Sequence, residues 1–439
     1  MEKTGIPSHF PTSVQDWLNY TLLKTGDQQI RAIIRFSGRI DSDLLSRAIR
    51  LTLDAEPVLG CGFNPHPWKP IWRRIDNLDS IKHLTIVSSD NIDQEIAGFM
   101  GYRIDPQYGP QVKAKVIRST NDTLLLAINH MVADGTGVKE YLYLLADIYN
   151  KLKSNKNWRP VPNLKDRGQA QLLKQIRFRN KCRSLLFGHY PKQSWGFPYR
   201  NRDTSNPTYA LKSIYPQDFK AIQQYAKAKQ ITLNDLFVTA FYNSLFHFVQ
   251  PNEGDAVPML ITVDLRRYLP SKKTETICNL SGSLFISLRY QRELSFEEVL
   301  RQVKNGITTE KKHYPGLGMA FLMECISYFG FQMFQKRSDK LTKDAMITGN
   351  AYPTPSNLGV IDSDLLWFKD ITVDSAWIMG PTPYPPAFLV LISTFKEQVT
   401  FCSAYCKNAV AEGMVENLLE RMVDDVRRQT SEFERSIRS

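Results

Sequence analysis

Apolar and polar positions along the chain sort into two recurring periods. The stretch QQIRAIIRFSG, residues 28–38, alternates as a half-buried strand does. DSDLLSRAIRLTLDAEP follows, with Leu44, Leu45, Ala48, Ile49 and Leu51 on one side behind an acidic start, and this predicts a helix. Residues 111–119 and 123–130 predict two strands joined around Asn121-Asp122, a hairpin signal. VKEYLYLLADIYNKLK then returns to helical spacing. Between the second of these strands and the helix lies NHMVADG, residues 129–135, so the local order is strand, histidine, turn, helix.

The later chain repeats the alternation. A helix is predicted near 216–230. A second covers ITLNDLFVTAFYNSLFHFV, with Thr232 as N-cap and Asp235 three residues on, a capping-box spacing. VPMLITVDL and SGSLFISLRY read as strands, followed by a helix from Ser295 to about Lys312. SNLGVID, DITVDSAWIM, AFLVLISTF and QVTFCSAY are strand-like, and VAEGMVENLLERMVDDVRRQ is a closing helix. A chain of 439 residues exceeds one ordinary core. The expected fold class is therefore α/β, as a pair of α+β sandwich lobes. The expected division is an N-terminal lobe at 1–165, a crossing linker at 166–205 and a C-terminal lobe at 206–439.

Composition removes several function classes. No apolar run reaches the roughly 18 residues of a membrane helix, and MEKTGIPSHFPTS lacks a signal-peptide pattern, so a cytoplasmic protein is expected. The six cysteines are scattered, with only Cys402 and Cys406 close together, and these read as buried free thiols. No metal-ligand spacing, phosphate-binding glycine loop or long repeat is present.

Charge is concentrated in one place. Residues 151–203 carry 14 Lys and Arg against Asp166 and Asp203, which equals the net +12 of the whole chain. A single basic feature fits this better than a diffuse nucleic-acid-binding surface, and no nucleic-acid partner is expected. Pro160, Pro162, Pro191 and Pro198 make the segment partly loop. A helix is predicted over 168–187, with Phe178, Cys182, Leu185 and Leu186 sharing a face and Lys174, Arg177, Lys181 and Arg183 crowding the rest. Three readings stand for it: a solvated linker, a dock for an acidic or phosphate-bearing partner, and a contact with an anionic membrane.

A histidine at a strand end is more often a packed residue than a catalyst. His130 merits the second reading because of its setting. A strand end would hold its imidazole rigidly, and a turn at Gly135 would leave room for ligands. A neutral imidazole can take a proton from a hydroxyl or amine near pH 7. No nucleophile elbow accompanies it, so direct transfer fits better than a covalent triad. His9, His66, His83, His189, His247 and His313 lie in no motif, and His247 is expected to be packed.

NHMVADG matches the HxxxDG signature of the chloramphenicol acetyltransferase-like superfamily of acyltransferases, which includes peptide-condensation domains and alcohol acetyltransferases. FPTSVQDWLNY with the helix and "EPVLGCGF" after it resembles the family's N-terminal pattern. ITLNDLFVTAFYNSL resembles the first long helix of its second lobe, and VDLRRYLP…CNLSGSLFISLRY its strand pair. SNLGVID is similar to the cleft motif of the alcohol acetyltransferase-like branch. The resemblance implies two similar lobes meeting in a V, with a tunnel between them and the histidine midway along it. It implies His130 as general base, Asp134 as a structural acid followed by Gly135, and Arg266 as the partner of Asp134. Ser356 and Asn357 fall near the family's oxyanion position. Further implications are a monomer without a bound cofactor or metal, taking acyl-CoA or acyl-phosphopantetheine as co-substrate and an alcohol or amine as acceptor. Two departures are visible: Asn129 stands where condensation domains place a second histidine, and no DFGWG motif occurs. A stand-alone condensation-type enzyme working with carrier proteins, or a catalytically silent binding homologue, are the alternatives.

Overall fold

A computed structural model describes residues 5–188 and 190–438, so His189 lies outside the described residues. The first lobe is built on a five-stranded sheet in the order Val373–Met379, Gln29–Phe36, Thr123–Asn129, Val112–Arg118, Leu84–Ser88. All pairings are antiparallel except the last, which is parallel. Alternation along Gln29–Phe36 assigns its two faces. Ile30, Ala32, Ile34 and Phe36 pack beneath helices Ser42–Ala55 and Gly135–Ser154. Ile33 faces the other way, onto helix Ile92–Met100 and onto Cys402 and Ala404 of the second lobe. Residues 124–128 of strand Thr123–Asn129 are apolar without alternation because both faces are covered.

The second lobe holds a four-stranded sheet ordered Thr354–Val360, Leu389–Phe395, Gln398–Cys406, Pro207–Ile214, and a two-stranded ribbon of Ala256–Asp264 and Ser281–Arg289. Its core is closed by helices Pro216–Ala228, Leu233–Val249, Phe296–Lys311 and Met414–Arg438. The capping box forms as the spacing predicts: Thr232 and Asp235 exchange bonds at 3.1 and 2.8 Å. Cys402 and Cys406 are buried and free. No helix among the described residues is long and apolar enough to cross a membrane.

One strand ties the lobes together. Val373–Met379 comes from the C-terminal part of the chain and pairs along Gln29–Phe36, with Ala376 opposite Ile34 and Ile378 opposite Ala32. Ile378 is thereby a core residue of the first lobe.

The basic segment differs from expectation. Instead of one helix over 168–187 there are two short ones, Ala170–Leu173 and Phe178–Phe187. The shared apolar face does not pack inward as a unit. Ser184 is the buried residue of the second helix. Its backbone lies so close to Gly318 of helix Leu317–Ser327 that a Cβ on that glycine would sit 2.6 Å from the Ser184 carbonyl oxygen. A crossing this tight selects the smallest side chains, and it turns Phe178, Leu186 and Phe187 outward. His247, expected to be packed, is exposed on the last turn of its helix. Helices Leu317–Ser327 and Phe331–Thr348 escape the sequence pattern, the first because it is mostly apolar without polar alternation.

Truncating Ile378 removes buried packing from the shared sheet. Ile378→Ala should destabilise the chain by about 2–5 kcal/mol. Because the strand joins both lobes, urea unfolding followed by tryptophan fluorescence and by far-UV circular dichroism should give coincident single transitions. Two separated transitions would show that the lobes unfold independently.

Candidate active site

The site forms where the turn after Thr123–Asn129 meets the second lobe. His130 continues the strand by one residue, its N–H bonded to the Gln28 carbonyl at 2.9 Å. Its ring is half-buried, and Nδ1 lies 3.1 Å from the Ala133 carbonyl oxygen. A carbonyl can only accept, so this contact places the proton on Nδ1 and leaves Nε2 with its lone pair. Asn279 donates to the His130 carbonyl at 3.0 Å and lies 3.3 Å from Nδ1. Burial lowers the imidazole pKa below its ordinary 6.5, and the nearby Asp134 charge opposes this without reversing it. The ring is neutral at pH 7.

Asp134 faces away from the ring into the lobe junction. It is the N-cap of helix Gly135–Ser154, with Oδ1 accepting from the Gly137 N–H at 2.8 Å. Oδ2 accepts from the Leu280 N–H at 2.7 Å and from Arg266 Nη1 at 2.8 Å. Arg266 also donates to the Cys278 carbonyl at 2.9 Å and to Asp264 at 3.2 Å. Both charges are nearly inaccessible, with side chains 1% and 6% exposed. Burial alone would raise the Asp134 carboxyl, but Arg266 and the two backbone N–H groups outweigh it and hold the value below the ordinary range. Glu140, 4.0 Å from Arg266, lacks such bonds; burial pushes it up to about 7.

Gly135 lines the cavity beside His130 and at the same time admits a side chain of the second lobe. Its backbone is not left-handed, and a Cβ there would lie 2.1 Å from Leu358 Cδ2. At Gly137 a Cβ would lie 2.7 Å from the Cys278 carbonyl oxygen. Both glycines allow the second lobe to approach the helix start.

His130 opens onto a cavity of about 430 Å³ between the lobes, lined also by Asn19, Gln28, Lys139, Thr262, Ser356 and Phe388. Ser356, in strand Thr354–Val360, accepts from the Thr262 hydroxyl at 2.9 Å, which leaves the Ser356 hydrogen free to donate. Asn357 also lines the cavity, but its side-chain oxygen accepts from the Gly359 N–H at 2.9 Å in a turn. Lys139 closes one edge, donating to the Leu358 and Val360 carbonyls. None of the described residues of 151–203 lines the cavity; Arg167 instead supports the back of the histidine turn through the Val132 carbonyl at 2.9 Å. Among the described residues no cluster of side chains suits a metal ion.

The sequence pointed to His130, Asp134, Gly135, Arg266, Ser356 and Asn357, and all but Arg266 line this cavity, with Arg266 behind it on Asp134. It missed Asn279, Leu280, Lys139 and Arg167. Their contacts join positions more than a hundred residues apart or use backbone atoms, which spacing cannot reveal.

No protein-family model matches the sequence, and no curated protein matches it by sequence. Solved structures do match along nearly the whole chain. The trichothecene 15-O-acetyltransferase of Fusarium sporotrichioides is similar at a TM-score of 0.70, with 10% identity over 97% of each chain. The first condensation domain of the CDA synthetase gives 0.68, with 16% identity over 98% of this chain and 97% of that one. The fold is that of the condensation domains and chloramphenicol acetyltransferase-like acyltransferases. The condensation-type fold also includes the epimerization domain from the third module of tyrocidine synthetase B, at 0.65 with 13% identity over 98% of each chain. One fold thus carries different chemistries, and the residues of the site decide between them.

Losing either member of the Asp134–Arg266 pair leaves a buried unpaired charge. Asp134→Ala and Arg266→Ala should each cost about 3–5 kcal/mol in urea unfolding, and the double variant should cost less than their sum. Because the folded Asp134 value is depressed, its contribution is complete above the ordinary carboxylate range. It is lost as pH falls through the depressed value, so the gap between wild type and Asp134→Asn should shrink on acidification.

Proposed function

We propose that the protein is an acyltransferase that moves an acyl group from a thioester to an alcohol or amine, with His130 as general base. The observation that carries this reading is the imidazole itself: neutral, its Nδ1–H fixed by Ala133, at the wall of a cavity between two lobes. Nε2 would accept the proton of the acceptor hydroxyl or amine as its oxygen or nitrogen attacks the thioester carbonyl carbon. The resulting oxyanion would be met by the free hydrogen of Ser356. Collapse breaks the carbon–sulfur bond, and the leaving thiolate takes the proton from Nε2 to leave as a thiol.

Several features support a direct transfer. No cysteine lines the cavity among the described residues, and burial raises the Cys278 thiol behind it to about 12. Asp134 is committed to Arg266, Gly137 and Leu280, so it shapes the turn and does not relay the proton. The donor side is supported by a second cavity of about 510 Å³. It shares Thr262, Val263, Asp264, Asn357 and Leu358 with the first, and Arg267, Lys272 and Lys311 also line it. A phosphate-bearing arm, of coenzyme A or of a carrier protein, suits that wall. This assigns donor attraction to these three residues in place of the segment 151–203.

A panel of acyl-CoA and acyl-carrier donors offered with alcohol and amine acceptors, read by intact mass, tests the reaction. His130→Ala should retain the wild-type melting temperature and lose on the order of 10²–10⁴-fold in turnover. Retention of a third or more of the activity would remove His130 as base. With the folded imidazole pKa lowered, the acid limb of kcat/KM should have its midpoint below the ordinary imidazole value.

A further inference from the structure

The helix Phe178–Phe187 presents an unusual outer surface. Phe178, Leu186 and Phe187 are 69%, 76% and 63% exposed, although the same helix buries Ser184 against Gly318. Between these apolar groups stand the exposed Arg179 and Arg183, with Lys174 and Arg177 just before the helix. Residues 167–202 contain no Asp or Glu, and no ion pair among the described residues involves Lys174, Arg177, Arg179 or Arg183. Lys181 lies over the rings of Phe178 and Phe321, which meet edge to face at 5.9 Å. The apolar surface continues past that contact: Tyr328 and Phe329, 76% and 69% exposed, follow at the end of helix Leu317–Ser327. At the helical rise, seven residues from Phe321 to Tyr328 span about 10 Å.

We infer that this surface docks the protein onto an anionic lipid bilayer. Charge complementarity requires an anionic partner, since Lys174, Arg177, Arg179 and Arg183 stand in a stretch without acidic residues and no ion pair among the described residues neutralises them. The shape of the surface selects a bilayer over a folded acidic protein. Protein partners anchor on concave pockets that take a buried side chain, and none of the cavities described above is lined by this helix. A convex helix with aromatic and aliphatic tips set among arginines matches the headgroup boundary instead. There the apolar tips enter the acyl region, while the guanidinium groups stay with the phosphates. The outward turn of Phe178, Leu186 and Phe187 is held by the Ser184–Gly318 crossing, so the surface is formed before any lipid arrives. This inference stands on the linker alone and does not depend on the role of His130.

Co-sedimentation of the full chain with vesicles of phosphatidylcholine alone, or of phosphatidylcholine mixed with phosphatidylglycerol, tests it. The wild type should bind the anionic vesicles, bind less as salt is raised, and not bind the neutral ones. Two triple variants separate the contributions: Phe178→Ser with Leu186→Ser and Phe187→Ser, and Arg177→Glu with Arg179→Glu and Arg183→Glu. Each should lower the partition coefficient by roughly tenfold or more, with a native far-UV circular dichroism spectrum and a cooperative melt retained. Absence of wild-type binding to the anionic vesicles overturns the inference. So does full retention of binding by either triple variant, or capture of an acidic acyl carrier protein through these residues without vesicle binding.

Discussion

A single buried carboxylate holds the two lobes in register. Asp134 takes one bond from the start of its own helix, through Gly137, and two from the second lobe, through Leu280 and Arg266. A charge this inaccessible is stable only when every oxygen is met, and each of these partners is fixed by something else. Arg266 is braced by Asp264 and by the Cys278 carbonyl, and Asn279 of the same segment bonds the His130 carbonyl. The histidine turn is thus formed as much by residues 264–280 as by the strand that delivers it.

Close approach is the second requirement. The second lobe can reach Asp134 only because Gly135 and Gly137 have no side chains where Leu358 and the Cys278 carbonyl come in. The same approach walls the cavity beside His130, since Leu358 lies on its surface. Glycine here serves packing between lobes, and the backbone angles at both positions are ordinary. Electrostatics and packing therefore converge on one place: the junction that buries the ion pair also keeps the imidazole neutral and half-enclosed.

The linker shows the same principle with the opposite result. A tight Ser184–Gly318 crossing determines which side of Phe178–Phe187 is buried, and the helix gives up its apolar side to solvent. Amphipathicity alone does not show which side of this helix is buried, because the deciding contact is made by backbone atoms and by the smallest side chains present. Basic residues that line neither the His130 cavity nor its neighbour are thereby free for a different surface chemistry.

The amino-acid sequence by itself determined the principal strands and helices, since apolar periodicity in Gln29–Phe36, Ser42–Ala55 and Leu233–Val249 agrees with local capping and turn chemistry. It also pointed to the candidate site, through the resemblance that NHMVADG and VDLRRYLP bear to HxxxDG acyltransferases. Tertiary structure alone decided that Val373–Met379 completes the first lobe's sheet. It alone decided that Asn279 and Leu280 hold the histidine turn, that Gly135 is filled by Leu358, and that the linker helix shows its apolar face. The reason is physical. Periodicity reports which side of an element is apolar, but partners distant in the chain are chosen by backbone hydrogen bonds and by the space small residues leave, and neither leaves a spacing to read.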